Sequence, residues 1–200
     1  GGAVADAKSG LEFEPGTLSE LVAQALVDDD AVASWEARQT PYEHPKFYDP
    51  VTLETAWSSH AFVLLRRDAV RAVGGYEERI FMYGEDVELS FRLRSAGYRL
   101  HYVPRSVVVH HSYADTDDKP LQFQGSTLSN AYLRMRYGSL VDVLAIPAMY
   151  LRQLAAVGGD RQRRRFVAGN ILRVLRNAPY FLGSRRYGGT AFPFRGWDYE

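Results

Sequence analysis

The sequence predicts an α/β domain that gives way to an α-helical extension. Two patterns and the composition carry this prediction. Through the first 118 residues, short apolar runs with strand character alternate with stretches whose apolar residues recur at helical spacing. Beyond them the spacing is helical throughout. With 46% hydrophobic and 24% charged residues, the 200-residue chain has the make-up of a globular protein, not of a disordered or fibrous one. The absence of cysteine excludes a disulfide framework, a thiolate metal site and a thiol nucleophile. Any metal must therefore take carboxylate, imidazole, carbonyl or water ligands.

In chain order, residues 3–5 are apolar and read as the end of a strand. Thr17 and Glu20 have the spacing of a capping box, and Leu18, Leu21, Val22 and Leu26 follow on a helical period. Asp28, Asp29 and Asp30 invite a cation, but acids just after a helix are more often a solvated turn. Residues 31–35 read as a short strand. Residues 40–57, rich in Pro, Tyr, His and Asp, form a long irregular segment whose four aromatics argue against disorder. Residues 61–65 are a strand, and Asp68 can cap a short helix over 69–73 that Gly74 and Gly75 close. Two further strands, 98–103 and 106–110, are separated by Pro104 and Arg105. Helices follow at 122–136, 139–156 and 161–177, with Gly138, Gly158, Gly159 and Pro179 as breaks.

Residues 85–96 carry two periods at once. Val87, Leu89, Phe91 and Leu93 alternate with polar residues, as in a strand. Yet Glu85, Asp86 and Glu88 precede Arg92 and Arg94, the charge order that a helix dipole favours at its two ends.

The formal net charge is zero, but residues 1–50 hold 3 basic and 10 acidic groups and residues 151–200 hold 10 and 3. Such asymmetry fits a charged partner surface, pairing between the ends, or two unlike solvated faces. The longest apolar stretch, 139–151, contains Asp142 and Pro147 and falls short of the roughly 20 residues a spanning helix needs. No signal peptide opens the chain, and both ends read as cuts through a longer polypeptide.

Two places carry candidate chemistry. Glu85 and Asp86 follow the run Ile80-Phe81-Met82-Tyr83-Gly84, where Gly84 permits a sharp turn. Two carboxylates at a helix start can divide the labour, one accepting a proton and the other orienting a substrate or cation; they can equally be ordinary first-turn acids. His110 and His111 end an apolar strand, the place where open α/β sheets hold their ligands, and either His can be a metal ligand or a structural side chain.

The run from Ala61 through Gly74, Gly75, the Glu85-Asp86 pair and Gly97, followed by Pro104 and His110, resembles the second half of the family 2 glycosyltransferases of the GT-A fold. The resemblance covers about residues 11–115. The segment Pro41-Tyr-Glu-His-Pro-Lys-Phe-Tyr-Asp-Pro50 with Trp57 is similar to a bacterial polysaccharide or rhamnosyl-type subgroup.

The resemblance implies a partial GT-A sheet, its acceptor-side half, over residues 1–118, and a basic helical extension over 119–200. It also implies that 85–96 is helical. Asp86 then matches the general base that deprotonates the acceptor hydroxyl, and Glu85 the neighbour that positions the acceptor. Trp57, Ser59, His60 and Tyr83 fall on the acceptor side, with His60 at a position that is often Gly. His110 matches a ligand of the divalent metal, Mn²⁺ or Mg²⁺, that carries the nucleotide diphosphate. The family's Asp-x-Asp motif has no clean match, and Asp6 is its candidate here.

The implied activity is inverting transfer from a nucleotide-diphosphate sugar to a glycan or lipid-linked acceptor in envelope polysaccharide synthesis. The alternative is a non-catalytic binding or scaffold module of the same fold. The fragment by itself is expected to be inactive, because the nucleotide-binding half is expected to precede it. The basic residues of 161–177 could meet an anionic membrane surface, consistent with a cytoplasmic protein peripheral at the inner face of the membrane. Arginine outnumbers lysine 21 to 3 throughout the chain, so its abundance is a habit of composition and no nucleic-acid partner is expected.

Overall fold

In a computed structural model, residues 10–44, 46–111 and 120–185 are described, with side chains from 124 in the last segment. They fall into two compact units. A sheet unit lies within Gly1–Gly75 and Leu89–Asp118, and a helical unit within Tyr76–Glu88 and Lys119–Glu200.

The sheet unit contains four strands: β1 (Leu11–Phe13), β2 (Val32–Thr40), β3 (Val63–Leu65) and β4 (Arg99–His110). Their order is β1-β4-β2-β3. β2 and β4 run parallel at the centre, with β1 and β3 antiparallel at the edges. Both faces are covered. On one, Leu21 from α1 (Thr17–Val27) packs with Val32, Trp35, Ala37, Val103 and Val108. On the other, Ala69 of α2 (Arg67–Ala72) and Leu89 and Leu93 of α3 (Glu85–Ser95) pack with Ala33 and Leu100. Helices on two faces of a largely parallel centre define an α/β sheet, as the sequence predicts. The expected strand at 3–5 lies outside the described residues.

Several local expectations are modified. The expected strands at 98–103 and 106–110 are one strand. Its register against β2 slips after Ala37–Val103 and resumes at Arg38–Val107, so Pro104, Arg105 and Ser106 form an irregularity that spares Pro104 a ladder bond. Thr17 is not the residue before its helix; left-handed Gly16 is. The Thr17 hydroxyl is shared between the carbonyls of Glu14 (2.7 Å) and Val107 (2.6 Å), which tethers α1 to β4. The three aspartates are not a purely solvated turn, since each has a side-chain partner. Asp28 accepts from the Trp35 indole (2.7 Å) and lies 2.8 Å from His101 Nδ1, while Asp29 pairs with Arg99 and Asp30 with Arg66.

α3 is a helix, and the strand-like alternation has a physical reason. Every residue from Val87 to Leu93 is buried, so polar and apolar side chains alike lie inside. The polar ones find individual partners: the Ser90 hydroxyl accepts from Ser58 N–H (3.0 Å) and Arg92 Nη1 donates to the Val73 carbonyl (2.9 Å).

The helical unit consists of α4 (Pro120–Tyr137), α5 (Leu140–Leu144), α6 (Ile146–Ala156) and α7 (Arg161–Gly183). Ser139 and Asp142 form a capping box at the start of α5, and Asp160 caps α7. Pro179, expected as a break, lies inside α7. The core joins Ala131, Tyr132 and Met135 of α4 to Ile146, Met149 and Tyr150 of α6 and Val167, Val174 and Phe181 of α7. Ile80 belongs to the same core, so the stretch before α3 packs among helices that follow it by 50 residues and more. Among the described residues no helix is long and apolar enough to cross a membrane.

Candidate active site

Glu85 and Asp86 are the first two residues of α3. The chain enters that helix through two successive left-handed residues, Tyr83 (φ 64°) and Gly84 (φ 110°). Glycine adopts this conformation freely, whereas an L-residue such as Tyr83 pays about 1–2 kcal/mol for it. Backbone strain of this kind persists only where the surroundings impose it, and it clusters at functional sites.

Asp86 Oδ1 accepts from the N–H of Val87 at 2.8 Å. Glu85 is half-buried, and its Oε2 is buried without a hydrogen-bond partner. Burial pushes the Glu85 carboxyl above the ordinary glutamate value and the neighbouring Asp86 charge adds to this, against the backbone N–H groups of Glu85 and Tyr83. Tyr76 stands in the field of both carboxylates. Its phenol is pushed up first by burial, then by the charges of Asp86 and Glu85. The helical unit thus brings Tyr76, Tyr83, Glu85 and Asp86 into one neighbourhood.

The segment carrying the pair is held at both ends by one side chain. Arg136 of α4, nearly fully buried, donates from Nη2 to Glu77 Oε2 (2.7 Å) and from Nη1 to Glu88 Oε1 (2.6 Å). The hydroxyl of Tyr180 also reaches Glu77 (2.9 Å), and that of Tyr137 reaches Glu88 (2.8 Å). The same helix approaches the entry turn closely: a Cβ on Gly125 would lie 2.5 Å from the Met82 carbonyl oxygen.

The other candidates lie in the sheet unit. Trp57 and Ser59 are buried and His60 is half-buried. The Trp57 indole is covered by Lys46, whose ammonium sits 3.9 Å above the ring, and Trp57 Nε1 has no hydrogen-bond partner. Lys46 also bonds Glu36 (2.6 Å) and the Trp57 carbonyl (2.5 Å), a fully buried ion pair under the irregular 40–57 segment.

His110 ends β4, with Nδ1 2.8 Å from Gln39 Oε1. A proton on Nδ1 directed at that carbonyl leaves the lone pair on Nε2, the tautomer in which imidazole ligates a metal. His110 therefore fits as one ligand. The described residues contain no group of three or more metal-ligating side chains, and Asp6 lies outside them, so no chemical step is routed through a metal here.

Sequence reasoning missed Tyr76, Lys46 and Arg136. Lys46 had a signal, as one of 3 lysines in a chain with 21 arginines. Tyr76 follows the Gly74-Gly75 pair directly. Arg136 had none, since its role depends on a contact 48 residues distant.

The sheet and the carboxylate pair at a helix start define an α/β protein with the layout of a partial GT-A domain. Over residues 27–195 the chain matches the family described as Glycosyl transferase family group 2, and it belongs to that family. It is 38% identical over 85 residues to an N-acetylglucosaminyl-diphospho-decaprenol L-rhamnosyltransferase of Mycobacterium tuberculosis, covering 42% of this chain and 28% of that one. It is 41% identical over 59 residues to Rhamnosyltransferase WbbL of Escherichia coli, covering 30% and 22%. It is likewise 41% identical over 59 residues to Succinoglycan biosynthesis protein ExoA of Rhizobium meliloti, covering 29% and 18%. The matched stretches thus span less than a third of these relatives.

Proposed function

We propose that the chain is the acceptor-side part, residues 1–118 with a helical extension over 119–200, of an inverting glycosyltransferase of cell-envelope polysaccharide synthesis. The donor is a nucleotide-diphosphate sugar and the acceptor a glycan or lipid-linked glycan. The family membership and the relatives' names support the general role. The observation that carries the residue assignment is the Glu85-Asp86 pair at the start of α3, behind a strained turn.

The acceptor hydroxyl oxygen attacks the anomeric carbon as the bond to the diphosphate breaks. Asp86 takes the hydroxyl proton, and the nucleoside diphosphate departs with the bonding electrons. Glu85 and Tyr83 orient the acceptor; Trp57, Ser59 and His60 are proposed as acceptor-side residues on the family resemblance alone. A divalent cation, Mn²⁺ or Mg²⁺, held by His110 and Asp6, would offset the charge of the diphosphate.

The exposed Arg161, Arg164 and Arg165 at the start of α7, with exposed Leu172 and Leu175 further along, support a peripheral contact with an anionic membrane surface on the cytoplasmic side.

In the full-length enzyme, Asp86→Asn should lower kcat by about 10² or more while donor binding persists. Near wild-type turnover would remove Asp86 from the role of base. Failure of the wild-type protein to bind nucleotide sugars with Mn²⁺ in calorimetry would favour a non-catalytic module.

A further inference from the structure

We propose that Arg136 is the positioning residue of the carboxylate pair, fixing Glu85 and Asp86 by gripping both ends of the segment that carries them. This rests on the reading of Asp86 as general base. Glu77 begins the segment and Glu88 closes its first helical turn, with the pair between them. The guanidinium is a planar fork, and two of its arms are spent on these two carboxylates. Its Nε donates to the Ser184 hydroxyl at 3.0 Å, and its Cζ lies 4.6 Å from the centre of the Phe181 ring. Each carboxylate receives a second donor from a tyrosine of the helices, Tyr180 on Glu77 and Tyr137 on Glu88. Arg79 stands 3.6 Å from the other Glu77 oxygen, so two acids face two guanidinium groups.

Arg136, Glu77 and Glu88 are all buried, and broken pairs of this kind do not rearrange cheaply. The fork matters as well as the charge. An ammonium presents a compact point charge without two divergent in-plane donors, so lysine cannot hold both carboxylates in these directions. The α4 helix of the extension thereby reaches the reacting centre without touching substrate. Misplacement of a catalytic group by about 1 Å can lower turnover by 10².

The test uses the full-length enzyme and the variants Arg136→Lys, Tyr137→Phe, Tyr180→Phe and Asp86→Asn. Each is assayed for kcat, acceptor and donor KM, and the pH dependence of kcat, at a temperature where circular dichroism shows it folded. Arg136→Lys should lower kcat by roughly 10- to 100-fold with donor KM within about twofold of wild type. The acidic limb of its pH profile, set by the base, should move, which a loss of folded protein alone would not produce. Tyr137→Phe and Tyr180→Phe should each lower kcat by about threefold or more, as expected for one lost hydrogen bond. Folded Arg136→Lys enzyme with wild-type kcat and pH profile overturns the proposal. If Arg136→Lys does not fold, wild-type kcat in both tyrosine variants overturns it. Asp86→Asn separates the two readings: wild-type turnover there rejects the base itself, whereas loss there with unaltered Arg136→Lys rejects only the positioning role.

Discussion

Alanine at Gly125 gives a direct test of how the helices shape the entry turn. In an open helix, Gly→Ala gains about 1 kcal/mol from propensity. At Gly125 the new Cβ would stand 2.5 Å from the Met82 carbonyl oxygen, closer than real Cβ contacts come, and a tight 3.0 Å from Tyr83 Cδ2. The obstructing atom is backbone, so α4 or the peptide after Met82 must retreat by about half an ångström in a densely packed interior. Overpacking of this kind costs about 1–3 kcal/mol. The net effect is a loss of about 1 kcal/mol, or a midpoint lower by roughly 2–4 °C for a chain of this size. Gly169 in α7 is the matched control, because nothing lies within 4 Å of its Cβ. Gly169→Ala should raise the midpoint by roughly 2–4 °C. Both variants are read by calorimetric melting. Equal rises in the two midpoints would show that the Met82 carbonyl does not obstruct a Cβ at position 125. Because the displaced peptide leads into Tyr83 and Glu85, Gly125→Ala should also lower turnover of the full-length enzyme while Gly169→Ala leaves it unchanged.

Two further predictions concern charge. Burial raises the Glu85 carboxyl, so the native state holds its proton to higher pH than the unfolded chain does. Stability then falls as pH rises from the ordinary glutamate value through the raised one. Glu85→Gln should therefore melt above wild type at pH 7 and lose that advantage near pH 4; equal midpoints at both pH values would refute the assignment. Lys46→Met would leave Glu36 charged in a buried site, at a cost of about 3–5 kcal/mol in urea unfolding. The double variant with Glu36→Gln should recover most of that loss, and a single-variant cost below about 1 kcal/mol would show that the pair is solvated.

The sheet was legible because its strands and helices announce themselves within a few residues. Apolar runs at 61–65 and 98–110 needed only their own composition, and the burial of both faces follows from the helices between them. What local pattern could not supply was anything fixed by a distant partner. The Pro104 irregularity depends on where β2 lies, and the one-strand form of β4 follows from it. Thr17 looked like a cap because its hydroxyl can bond its own helix; the carbonyl of Val107 takes it instead. The alternation at 87–93 left strand and helix both open on pattern alone for the same reason, since a helical stretch buried on every side has no polar face to reveal its period. At the candidate site, the Glu-Asp pair and His110 were readable as residue types at element ends. Lys46 and Tyr76 were marked only by rarity and by position after a glycine pair, and Arg136 not at all, because its partners are set by packing.

The contacts of 76–88 bear on how the site holds its shape. Five acids lie within this stretch at Glu77, Glu78, Glu85, Asp86 and Glu88, and their mutual repulsion opposes the compact turn at Tyr83 and Gly84. The helix dipole at the start of α3 offsets part of that repulsion for the first-turn acids. It does nothing for Glu77, which lies before the helix. Arg136 acts where the dipole does not, and holds the Glu77 carboxyl below its ordinary value even though burial alone would push it up. Glu77 thus contributes stability above the ordinary glutamate pH, and that contribution is lost as pH falls through its lowered value. Glu85 receives no such partner, so its buried oxygen is where the segment gives up stability. A single guanidinium thus secures the two flanking acids and leaves the charge of the central pair unconsumed by the scaffold.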